Sequence, residues 1–102
     1  MKQGKETALV KSCLQYLQAK GIVAWRNNTG GVKVDKRFVR FGQPGSADIL
    51  GILPPDGRLV AVECKCGRNE PTELQRDWLQ RVAGAGGLAL VVYSLDELME
   101  AI

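Results

Sequence analysis

The chain has 102 residues, 45% of them hydrophobic and 25% charged, with a net charge of +3 and a sequence pI near 8.9. That describes one domain with a single modest core, mildly basic enough to permit a polyanionic partner without demanding one. The absence of histidine excludes Ser-His-Asp and Cys-His catalysis and zinc sites with His ligands, and the three cysteines, Cys13, Cys64 and Cys66, are too few for a disulfide framework or a Cys₄ site.

No apolar run is long enough to span a bilayer, so no membrane partner is expected. The start, Met1 to Glu6, leads into a charged amphipathic stretch rather than a signal peptide, and a cytoplasmic location is expected. The first helix is predicted from about Lys5 to Lys20, with Val10, Cys13, Leu14 and Leu17 at helical spacing and Gly21 as its C-terminal cap. Glu6 lies four residues before Val10, near the buried stripe. It reads either as an acid favoured by the helix dipole or as a group pointing into a site beside the core.

Ile22 to Trp25 reads as a strand, and Asn27-Asn28-Thr29-Gly30-Gly31 as a turn. Val32 to Phe41 alternates imperfectly and reads as a strand with an irregular basic end. Arg26, Lys33, Lys36, Arg37 and Arg40 crowd this region with a single acid, Asp35. Alone, they read as a solvated surface; beside a phosphate site they become candidate contacts. Asp48 to Leu53 and Leu59 to Lys65 are strands joined by the tight turn Pro54-Pro55-Asp56-Gly57, which predicts a hairpin. Cys64 and Cys66, two apart, are expected to share a face and pack as small apolar groups. Thr72 is an N-cap for a helix carrying Leu74, Gln75, Trp78, Leu79 and Val82. Leu88 to Tyr93 reads as a strand buried on both faces. Ser94 and Glu97 form a capping box for a last helix, Leu95 to Ile102. Leaving the basic stretch aside, the order is helix, three strands, helix, strand, helix, that of an α/β chain.

The chemistry centres on Glu63-Cys64-Lys65. In a strand the Glu63 and Lys65 heads project together while Cys64 turns away. An E-x-K triplet arises by chance in a chain this long roughly one time in three, so the pair alone is a weak signal. Asp48 strengthens it, because the predicted hairpin sets the start of one strand beside the end of the other. Two carboxylates and an ammonium then converge at one sheet end, and a hard divalent cation is their natural counterion. Mg²⁺ takes carboxylate, carbonyl and water oxygens, so the backbone carbonyl of Cys64 is a further candidate ligand. Such an ion would polarise a scissile phosphate and acidify a bound water, while Lys65 orients that water and stabilises developing charge. Gln75, one turn into the next helix, is placed to orient Lys65 or a ligand, and Glu6 to supply an acid of the outer coordination sphere.

Gly45-Ser46-Ala47-Asp48, Glu63-Cys64-Lys65 and Gln75 with Trp78 on the following helix together resemble the PD-(D/E)XK nuclease superfamily. Within it, the chain resembles a small stand-alone VRR-NUC (virus-type replication-repair nuclease) domain, from Glu6 to Tyr93. The resemblance implies a restriction-endonuclease-like core, a mixed four-stranded sheet flanked by helices, and phosphodiester hydrolysis dependent on Mg²⁺ or Mn²⁺. It casts Asp48 and Glu63 as metal ligands, Lys65 as catalytic, Gln75 as supporting and Glu6 as the first-helix acid. Ala47 stands where the superfamily label has proline, a position that carries no chemistry. Minimal viral-type relatives are similar to homodimeric resolvases of four-way DNA junctions, which implies branched DNA as substrate, a homodimer, and a phage or bacterial cell interior. Candidate nucleic-acid contacts are Lys33, Lys36, Arg37, Arg40 and Arg68; candidate dimer contacts are Trp25, Leu98 and Ile102. The alternatives are a nuclease for flaps, nicked or linear DNA or RNA, and a non-catalytic nucleic-acid-binding domain.

Overall fold

The computed structural model describes residues 2–102, with side chains from Gly4 onward, so the reading that rests on Met1 lies outside them. The elements are α1 (Lys2–Ala19), β1 (Val23–Arg26), β2 (Gly30–Val34), β3 (Arg37–Phe41), β4 (Ile49–Leu53), β5 (Arg58–Cys64), α2 (Glu73–Gly84), β6 (Leu88–Val92) and α3 (Leu95–Ala101). Four strands form the expected mixed sheet in the order β1-β4-β5-β6. The β1–β4 and β4–β5 pairs are antiparallel, and β5–β6 is parallel. A parallel pair needs a crossover, and α2 is that crossover. Among the described residues, no helix is long and apolar enough to cross a membrane.

Two apolar layers result from the pleat. Val60, Val62 and Cys64 of β5 point to one side and pack with Val10, Cys13 and Leu17 of α1 and with Leu98 of α3. Ala61 points to the other side, with Ala47, Trp78 and Leu79 under α2. The sequence reads Leu88 to Tyr93 as a strand buried on both faces, but β6 ends at Val92, only Val92 is fully buried and Tyr93 is exposed. The physical reason is that β6 is an edge strand, paired on one side only. Likewise Cys66 is not a core residue: β5 ends at Cys64, and Cys66 is half-buried beyond the strand.

The basic stretch departs most from its predicted form. Val32 to Phe41 is not one irregular strand but part of a separate hairpin, β2–β3, turned at Asp35 and Lys36. Asp35 sits at φ 55°, a left-handed conformation that Asp tolerates better than most residues. A two-residue turn places Val34 opposite Arg37 and Val32 opposite Val39, so the apolar residues change parity across it. That phase change is the imperfect alternation seen in the sequence. Lys33, Lys36, Arg37 and Arg40, less Asp35, carry a charge of +3, while the ten cations and ten acids of the rest of the chain balance. The molecule's entire net charge is therefore on this hairpin.

Candidate active site

The β4–β5 register pairs Ile49 with Val62 and Leu53 with Arg58. One step further out, Asp48 and Glu63 meet at the same sheet end, as the sequence spacing requires. The junction is closed through the backbone: the Cys64 N–H donates to Asp48 Oδ2 at 2.9 Å, and the Asp48 N–H stabilises the Glu63 carboxylate in return. On its other side Asp48 is anchored by the Asn27 N–H, which donates to its carbonyl at 2.7 Å. Asn27 also donates through Nδ2 to Ser46 Oγ and to the Ala47 carbonyl, at 2.7 and 2.9 Å. Gly45 tightens this approach: at φ 80°, a Cβ there would lie 2.6 Å from the Leu74 carbonyl. A side chain would push the Ser46–Asp48 segment away from α2.

Glu63 is only 3% exposed. Its Oε2 lies 3.4 Å from Lys65 Nζ and accepts from Gln75 Nε2 at 3.2 Å. The Gln75 amide is held at both ends, because its Oε1 accepts from the Thr72 N–H at 2.9 Å in a complete capping box. The helix cap thus aims a donor at the buried acid. The Ser94 box at α3 is only half formed, since Glu97 Oε1 accepts from the Tyr93 N–H rather than from Ser94.

Burial, and then the Asp48 charge, push the Glu63 carboxyl up to about 7, against the opposing pull of Lys65. Asp48 is raised too, chiefly by burial, with the Cys64 N–H and Lys65 opposing. The Cys64 thiol, also pushed up by Cys13 and by burial, remains a neutral core group, leaving only its carbonyl as a candidate ligand. One ammonium beside two carboxylates leaves a negative charge uncompensated, and the donors are hard oxygens. This set fits Mg²⁺ or Mn²⁺.

Glu6 stands apart from that pair. Its Oε2 accepts from Asn69 Nδ2 at 3.0 Å and lies 3.6 Å from Cys66 Sγ. Among the described residues, no three acidic or thiol side chains come together closely enough to hold a metal ion. Glu6 instead shares with Arg26 and Asp48 a cleft of about 240 Å³, where Arg26 lowers and Glu6 raises the Asp48 carboxyl. Arg26 and Asn69 were not singled out for the site from the sequence. A pairing of β1 with β4, which sets Arg26 opposite Ile49, was the signal that would have placed Arg26. Lys33, Lys36, Arg37 and Arg40 are exposed on the hairpin, and Arg68 is exposed on the loop after β5. A groove of about 490 Å³ around Arg58, Trp78 and Arg81 contains none of the site acids.

No family model and no curated protein matches the chain. Among solved structures, it is similar to one described as a VRR_NUC domain, with a TM-score of 0.68 and 26% sequence identity, covering 94% of this chain and 95% of that one.

Proposed function

The chain is a VRR-NUC domain, of a nuclease-type fold, and from that premise we propose that it is a Mg²⁺- or Mn²⁺-dependent DNA endonuclease acting on branched DNA, four-way junctions foremost, as a homodimer. The observation that carries the reading is the meeting of Asp48, Glu63 and Lys65 at one sheet end, with Gln75 aimed at Glu63. Asp48, Glu63 and the Cys64 carbonyl would hold the metal, and Glu6 would supply an outer acid beside it. Once bound, the ion supplies Lewis-acid activation of the phosphate and acidification of a water. Lys65 orients the attacking water and offsets charge that develops on the phosphate oxygens. Gln75 keeps the Glu63 carboxylate in place, and the hairpin cations with Arg68 neutralise DNA phosphates.

The test is incubation of purified protein with Mn²⁺, Mg²⁺ or EDTA and labelled duplexes, flaps, single strands and four-way junctions. Junctions should be cut best, by paired nicks, with no product in EDTA. Glu63→Ala and Asp48→Asn should lose both cleavage and Mn²⁺ affinity, whereas Lys65→Ala should lose cleavage and keep the metal. Full activity of Glu63→Ala in excess EDTA would sink the reading. Binding without cleavage under every condition would leave a nucleic-acid-binding domain.

A further inference from the structure

The β2–β3 hairpin carries more than charge. Its register sets Lys33 opposite Phe38 and Gly31 opposite Arg40, so these four residues share one face. Phe38 is 65% exposed and adds nothing to either apolar layer. Its ring lies over the strand at Gly31, where a Cβ would run into it, so the glycine makes room for the aromatic. The Arg40 guanidinium sits 5.7 Å from the ring centroid, within cation–π range. A groove of about 230 Å³ runs beside the ring, bounded by Arg40, Gly42 and Pro44. Pro44 is four residues from Asp48 in the chain, so one segment leads from the groove to a site acid.

We propose that this face is a stacking platform for an unpaired DNA base, with Phe38 as the stacking group and Lys33 and Arg40 as contacts to the flanking phosphates. The proposal rests on the DNA-nuclease reading and gives it a substrate feature: exposed bases at a branch or gap. An exposed ring between two cations matches a strand that offers a π-face and phosphates together. A base stacked within intact duplex offers no free face to it. A second copy of this surface is disfavoured as the occupant, because two hairpins of charge +3 repel.

The experiment uses the whole protein in EDTA, where no cleavage step enters, with single-stranded and gapped oligonucleotides carrying 2-aminopurine. Binding should quench the fluorophore. Phe38→Ala and Phe38→Leu should both abolish the quenching and weaken binding about tenfold while leaving the salt dependence unchanged. Phe38→Trp should restore both, and Arg40→Gln should lower the salt slope by about one counterion. Quenching that survives in Phe38→Leu would overturn the proposal in favour of charge alone. Dissociation of a dimer by Phe38→Ala, seen by sedimentation, would also overturn it and make the face a contact between copies. A protein that never cuts DNA yet quenches through Phe38 would refute the nuclease reading and retain the platform.

Discussion

Glu63 combines burial, a neighbouring acid and one lysine, and its titration links the site to stability. Its folded value, about 7, lies above the usual 4.5, so the folded state binds this proton more tightly than the unfolded chain. Stability from this group is therefore fully present below about pH 4.5, is lost as pH rises toward 7, and stays lost above. The difference is up to about 3 kcal/mol. In EDTA at pH 8, Glu63→Gln should unfold at higher denaturant than the parent, and at pH 4 the two should converge; a less stable variant at pH 8 would contradict the assignment. On the proposed reading Mn²⁺ would compete with the same proton, so its affinity should fall below pH 7 by up to about tenfold per unit, measurable by titration calorimetry. The Glu63–Lys65 pair and Asp48 were legible from strand alternation and a short turn, both local rules. Arg26 and Asn69 were not. Each reaches the site through contacts between distant segments, Arg26 by the β1–β4 pairing and Asn69 by its bond to Glu6.

At the scale of elements, α2 and the hairpin divide the work. Thr72 was legible as an N-cap, and the structure adds that Gln75 completes a capping box with it while also reaching Glu63. Thr72→Ala should cost about 1 kcal/mol of stability and also reduce turnover by loosening Gln75, whereas Thr72→Ser should restore both; unchanged turnover in Thr72→Ala would separate the cap from the site. The hairpin was harder to read, because Asp35-Lys36 carries no glycine and the parity of the apolar residues changes across it. Its cations were legible, its shape was not. If they bind phosphates, Arg37→Ala with Arg40→Ala should weaken binding to every DNA substrate and flatten its salt dependence by about two counterions. An unchanged slope would return them to a solvated surface.

At the scale of the molecule, the three candidate dimer contacts, Trp25, Leu98 and Ile102, differ in what they leave exposed. Leu98 is fully buried in the core, so it is not free to meet a partner, and Ile102 packs against that core and is only partly exposed. Trp25 remains, 43% exposed. Its register partner is Leu50, which pairs in turn with Ala61 beneath α2. Trp25 therefore stands on the face that α2 covers, beyond the part it reaches. Val23 and Ile52, paired with each other and 63% and 43% exposed, extend the same uncovered strip. Contiguous apolar surface of this kind is what interaction sites use, and a C₂ dimer would cover it by repeating one self-complementary patch. The functional motive is independent: one active site cannot cut two strands of a junction symmetrically, and two sites related by a twofold axis can. Sedimentation equilibrium at micromolar concentration should give a dimer. Trp25→Glu should give a monomer that still binds Mn²⁺ and nicks single strands of a junction, but no longer makes paired nicks. A parent protein that sediments as a clean monomer and still resolves junctions by paired, symmetric nicks would show that neither the apolar strip nor the symmetry argument governs its assembly.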